Sequence, residues 1–205
     1  MIVSIIVYSA ITFLFIYAWC HLNIFENLFS SHIVFDSNVI SKIVNDALKV
    51  HPDGRKYEKV RKGTKVHELD EAGILHEENK ELVEARFQYI HEKLYEAYPD
   101  YIVSPSEIDW SDPDSVRKHF FLCITGGAIG QLVCLHASLS EYIIIFGTPL
   151  GTNGYSGRYL YHIRDYIISG RHMTYLDGDL HGSVYNPGQM TVLPKGEAVI
   201  YASDP

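Results

Sequence analysis

From Val116 onward, short apolar runs alternate with turns rich in glycine and proline. FFLCIT precedes Gly126-Gly127, EYIIIFGT precedes TPLGTNGYSG, and YHIRDYIISG, HMTYLDGD, SVYNPGQMTVLP and GEAVIYA follow. Glycine supplies positive φ without steric cost, and proline cannot donate to a sheet ladder, so this punctuation limits each run to a short strand. Many short strands at regular turn spacing build a small β-barrel or sandwich. Inside this region, Ala128–His136 reads as a short apolar helix after the double glycine. The GGAIG it begins with is not a dinucleotide fingerprint, because no downstream acid closes a βαβ unit.

The chain before Val116 is organised differently. Met1 to Cys20 carries no charged side chain, and the first charge is Glu26. A helix needs roughly 20 apolar residues to cross a bilayer core, so residues 1–25 are expected to form one transmembrane anchor. Tyr17 and Trp19 sit near one end, where interfacial aromatics are enriched. The rival, a cleaved signal peptide, expects a basic start and a small-residue cleavage site, and the sequence has neither. Next, Asp36, Ser37 or Asn38 can cap a helix carrying Val39, Ile40, Ile43, Val44, Ala47 and Leu48 on one face, with HPDG at its end. Residues 55–80 read as a charged loop or insertion. A second helix is expected over 78–98, with Val83, Phe87, Ile90 and Leu94 as its stripe, charged side chains on its other faces, and Pro99 as its stop. Ser104–Ser115 reads as loop. The expected organisation is therefore an anchor over 1–25, a helical and loop region over 33–115, and a β region over 116–205.

Charge and chemistry-bearing residues narrow the function. The 205 residues carry a net charge of −8, which disfavours a nucleic-acid partner, since phosphate binding needs clustered Lys and Arg. The three cysteines, Cys20, Cys123 and Cys134, form no CxxC pair and read as small buried hydrophobes. Of the eleven histidines, His136, His162, His172 and His181 fall in the β region, but none has the spacing of metal ligands.

The stretch GGAIGQLVCLHASLSEYIIIFGTPLGTNGYSGRY, followed by RDYIISG, VYNPG and LPKGEA, resembles the C-8 sterol isomerase and sigma-1 receptor family over about Phe120–Ala198. LPKGEA is nearer the fungal sterol isomerase branch. The resemblance implies a mainly β fold with flanking helices: a cupin-like β-barrel preceded by one N-terminal transmembrane helix, with an apolar pocket and no metal. It implies a single-pass protein of the endoplasmic reticulum membrane, possible trimers, and a sterol or other hydrophobic small molecule as ligand. The enzymes of this family move a sterol double bond from C8 to C7 without a cofactor; the receptors bind cationic amphiphiles. Carried onto this sequence, the resemblance makes Asp165 the pocket acid and Glu141 the acid before the pocket tyrosine. It makes Tyr142, Ile144, Phe146, Ser156, Tyr159 and Ile163 ligand-binding positions. Ala128 stands where the family has a tryptophan, and Leu193 where the receptors have a histidine. A glutamate that partners the pocket aspartate, and two closing helices, fall beyond Pro205, so the barrel is expected to be incomplete within the chain.

The residues fit that chemistry. A double-bond shift without a redox cofactor needs an acid at one carbon and a base nearby, with water kept from the carbocation between. A carboxyl in an apolar site keeps its proton more readily, and once ionised it stabilises a neighbouring cation. The plainer reading of Asp165 is a strand-end acid paired with Arg164 or Arg158. Glu141 reads more readily as a buried brace for neighbouring backbone than as a catalyst. Strand alternation puts Tyr142, Ile144 and Phe146 on one face, as pocket wall or as core. His136 reads as a packed histidine rather than a proton shuttle.

Overall fold

The computed structural model describes residues 8–14, 16–17, 33–52 and 80–204. The chain divides into two compact units, residues 1–35 with 138–141, and residues 36–137 with 142–205.

In the first unit, residues 8–14 and 16–17 are helical. The expected span over 1–25 lies largely outside the described residues. Among the described residues no helix is long and apolar enough to cross a membrane. Ser138–Glu141 close a tight turn, in which the Ser138 N–H donates to the Glu141 carbonyl at 2.8 Å and the Glu141 N–H to Ser138 Oγ at 3.0 Å.

The second unit begins with helix α1, Ser37–Val50. Asp36 caps it by accepting from the Asn38 N–H at 2.8 Å, and Ile43, Val44 and Ala47 of the expected stripe are buried. Helix α2 covers Lys80–Ala97 and packs on α1. Its Ile90 and Leu94 enter the core, as the 3.6-residue period requires. The polar faces expected around that stripe are not all exposed. Arg86 and His91 are 2% and 1% accessible. Arg86 donates from Nε to the His51 carbonyl at 3.0 Å and from Nη1 to the Ile168 carbonyl at 2.9 Å. His91 accepts from Trp110 Nε1 at 3.1 Å through Nδ1, which leaves Nε2 protonated and donating to the Val103 carbonyl at 2.7 Å. A third helix, α3, Pro113–His119, starts inside the stretch expected to be loop. Its signal was present: Asp112 accepts from the Asp114 and Ser115 amides, and Pro113 supplies a preset first turn. The charged insertion expected over 55–80 lies outside the described residues except for its last position.

Nine strands follow among the described residues: β1 Phe121–Thr125, β2 Ala128–Ala137, β3 Tyr142–Gly147, β4 Thr152–Tyr155, β5 Ile163–Tyr166, β6 His172–Leu176, β7 Ser183–Tyr185, β8 Met190–Leu193 and β9 Val199–Ser203. The segment expected as a short helix over Ala128–His136 is therefore strand β2. Gly126 and Gly127 both take positive φ, 57° and 92°, and join β1 to β2 as a two-residue hairpin. That turn matches strand twist and commits the next residues to pair back on β1. Burial along β2 then alternates rather than following a helical period, with Val133 and Leu135 at 1% and 0%.

The strands form three antiparallel sheets, ordered β1-β2-β3, β4-β9-β6-β7 and β5-β8, and no closed barrel. This corrects the cupin-like barrel expected from the resemblance; the mainly β fold with flanking helices stands. Closure needs every strand bonded on both sides. Here β1, β3, β4, β5, β7 and β8 each have one neighbour. Strands of three to six residues offer few ladder bonds with which to recruit a second.

Candidate functional site

Strand β5 carries Asp165 opposite Thr191 of β8, with Ile163 opposite Leu193. Alternation puts all four on one face, and Thr191 and Leu193 are buried at 7% and 5%. Arg164 points to the other face, opposite Val192. Among the described residues the Asp165 carboxyl has no hydrogen bond and no ion pair. Arg158, one of the two arginines that would have neutralised it, instead reaches Asp177 at 3.4 Å and the Gly196 carbonyl at 2.8 Å. The Asp165 carboxyl is reached by solvent, yet surrounding protein desolvates it enough to push its pKa up to about 6. A side chain that is wet on one side and walled on the others satisfies both observations.

Tyrosines form those walls. Tyr142, at the start of β3, is pushed up to about 12 by burial, with Tyr161, Tyr159 and Asp165 adding to the shift. Tyr159 is raised by burial and then by Tyr161 and Asp165. Tyr201, on β9, is raised by burial and then by Tyr159 and Asp165. The ring of Tyr161 lies 6.1 Å from that of Tyr142 and 5.6 Å from that of Tyr159. Residues from β3, the β4–β5 connection, β5 and β9 thus converge on one carboxyl.

The β3 face behaves as alternation requires. Tyr142, Ile144 and Phe146 are 39%, 39% and 36% accessible, while Ile145 between them is 6%. Tyr142, Ile144 and Phe146 thus form an open apolar row along β3. Gly130 shapes it, because a Cβ there would lie 2.5 Å from the Phe146 ring. The ring lies across bare backbone, and no larger residue at 130 leaves it room.

The remaining expected positions make the following contacts. Ser156 accepts from the Val199 N–H and donates to the Gly157 carbonyl, both at 2.9 Å, pinning the end of β4 to β9. Glu141, in the first unit, accepts from the Val34 amide at 2.6 Å and the Phe35 amide at 3.3 Å. Its two oxygens each accept from a backbone amide. His136 Nδ1 lies 2.7 Å from the Tyr101 carbonyl, and His162 accepts from the Lys195 amide. Cys123 and Cys134 are free thiols. Among the described residues no cluster of three or more His, Cys, Asp or Glu side chains is placed to hold a metal. Tyr161 and Tyr201 escaped the sequence reading, since tyrosines between turns carry no periodic signal.

Two surface hollows lie elsewhere. One of about 340 Å³ is bounded by Glu84, Val116, Phe120 and Leu122, and one of about 310 Å³ lies beside His91 and Trp110. Neither is lined by a member of the Asp165 cluster.

Comparison with known proteins gives this geometry its context. Protein erg2 homolog of Dictyostelium discoideum is 36% identical over 142 residues, covering 67% of this chain and 55% of that protein. Sigma non-opioid intracellular receptor 1 of Gallus gallus is 35% identical over 115 residues, 56% of this chain and 47% of the receptor. The same receptor of Danio rerio is also 35% identical over 115 residues. The chain spans about half the length of these relatives. A family model described as "ERG2 and Sigma1 receptor like protein" matches residues 7–205, nearly the whole sequence, and the chain belongs to that family.

Proposed function

We propose that this chain is a C-8 sterol isomerase, with Asp165 as its proton donor, in ergosterol-type sterol biosynthesis. The observation that carries the reading is an unpaired carboxyl, held near pKa 6 by desolvation, facing an open apolar wall and three tyrosines. With that pKa, about a tenth of the carboxyls carry a proton at pH 7, enough to sustain general-acid catalysis. Protonation of C9 turns the C8–C9 double bond into a cation at C8. Loss of a C7 proton then forms the C7–C8 double bond, so no proton is gained or lost overall. The carboxylate left by donation is the nearest anion to the cation and is suited to take the C7 proton. Tyr142, Tyr159 and Tyr161 offer their rings to the same charge. The sterol itself, covering Tyr142, Ile144 and Phe146, excludes water. Ile163 completes the apolar floor, and Glu141 serves as the brace of the fold. The reaction requires no cofactor. The uncharged stretch Met1–Cys20 and the family membership support attachment to the endoplasmic reticulum membrane by a single span, with association as trimers.

A second reading, a non-catalytic membrane protein binding sterols or cationic amphiphiles, is favoured by the receptor relatives and by the ionised state of Asp165 at neutral pH. Purified full chain in detergent, supplied with a C8-unsaturated sterol, separates the two. Appearance of the C7-unsaturated product, lost in Asp165→Asn, supports isomerisation. Tight binding of a cationic amphiphile that depends on Asp165, with no product formed, selects the second reading.

A further inference from the structure

His172 is a polar group of the β region that neither reading uses. The β6–β9 register pairs His172 with Ser203 and Thr174 with Tyr201, so these four side chains share one face. The Tyr201 phenol on that face, raised chiefly by burial, also feels the charges of Tyr159 and Asp165. The His172 ring stacks on Tyr201, 5.8 Å between centroids at 30°. Its Nδ1 lies 3.0 Å from Ser203 Oγ. Its Nε2 has no hydrogen-bond partner among the described residues, and the residue is half-buried, so this nitrogen is left open to a ligand.

We propose that His172, held by Ser203, is the end of the ligand site that takes a neutral alcohol group of a lipid ligand, apart from the charged end at Asp165. The inference rests on the hydrophobic-ligand reading above and names a second recognition group within it. The chemistry selects an alcohol. Burial keeps the imidazole neutral at physiological pH, so it has no charge with which to attract an anion. The Ser203 hydroxyl rotates freely, so it either donates to Nδ1 or accepts from it, and Nε2 becomes donor or acceptor accordingly. A hydroxyl group is likewise both. An ammonium head, which only donates, is better served by the carboxylate of Asp165. Tyr201 stands between the two ends and provides a continuous aromatic surface for the body of the ligand.

The test uses the full chain in detergent and two pairs of probes: a 3β-hydroxysterol with its 3-deoxy analogue, and hexadecanol with hexadecane. Wild-type protein is expected to prefer each alcohol over its hydrocarbon. In His172→Phe that preference falls by about three- to tenfold, the worth of one neutral hydrogen bond. Affinity for the hydrocarbon partners and for a cationic amphiphile stays unchanged. His172→Gln, which keeps a polar atom near the Nε2 position, restores part of the preference. Equal losses for alcohol and hydrocarbon in His172→Phe overturn the proposal and leave the Asp165 reading intact. Amine binding that is indifferent to Asp165→Asn overturns that reading instead. Should His172→Phe not fold, Ser203→Ala is measured the same way, and an undiminished alcohol preference there is equally fatal.

Discussion

Replacing Asp165 by Asn should make the protein more stable at alkaline pH while removing its function. The carboxyl has a raised folded-state pKa, from 3.8 to about 6, with desolvation as the cause. The folded chain therefore holds this proton more tightly than the unfolded one. Stability from this group is fully present below about pH 4 and is lost as pH rises through about 6. A shift of about two units corresponds to a ceiling of about 3 kcal/mol. Solvent reaches the side chain, so screening reduces the penalty to about 1 kcal/mol. Asn has nearly the same shape and no charge to desolvate. In urea unfolding at pH 8, Asp165→Asn should exceed wild type by about 1 kcal/mol, a melting-temperature gain of about 2–4 °C for a chain of this size. The difference should shrink through pH 6 and vanish near pH 4. An Asn variant that is equal to or weaker than wild type at pH 8, with no trend on acidification, would show that the carboxyl is not held desolvated, and the reasoning about its chemistry would fail with it.

His172 titrates in the opposite sense. Its pKa is lowered by burial from 6.5 to about 4, so its stabilisation is present above pH 6.5 and lost as pH falls through 4. His172→Phe should flatten that acid limb, read as the difference in unfolding midpoints between pH 7 and 4; because the Asp165 window overlaps it, the comparison is best made in the Asp165→Asn background. His91→Leu leaves the Trp110 N–H and the Val103 carbonyl without partners and should cost about 2–4 kcal/mol in urea denaturation. Gly126→Ala should cost at least about 2 kcal/mol, since the residue sits at φ +57° and the new Cβ falls 1.8 Å from the Tyr155 carbonyl oxygen. Gly127→Ala, where nothing lies within 4 Å, should cost less, and the reverse order would discredit the hairpin geometry.

Local signals were legible where a single physical rule governed them. The run Asp36, Ser37 and Asn38 announced the start of α1, where Asp36 is the cap, and the spacing of Ile43, Val44 and Ala47 announced its buried side. Two-residue alternation placed Tyr142, Ile144 and Phe146 on one face. At β2 a continuous apolar run mimics a helix, and what distinguishes it is the double glycine before it, which is a hairpin turn. Arg86 and His91 could not be recognised as buried, because the carbonyls that satisfy them come from residues distant in sequence, His51, Ile168 and Val103. The same holds for the candidate site. Resemblance points to Asp165, but its lack of a counter-ion among the described residues and its tyrosine surroundings depend on where Arg158, Tyr161 and Tyr201 end up. Strand closure is likewise a property of pairing partners, which no single run of residues specifies.

The hold that Glu141 takes on the Val34 and Phe35 amides links positions 107 and 106 apart in the chain. Contacts of such sequence separation form only after much of the chain has condensed, so this clamp belongs to the late stages of folding. Deuterium uptake at the Val34 amide then serves as a clock for that step: protection should appear there after it appears in β2, and Glu141→Gln, which weakens the acceptor, should let the amide exchange early while β2 stays protected.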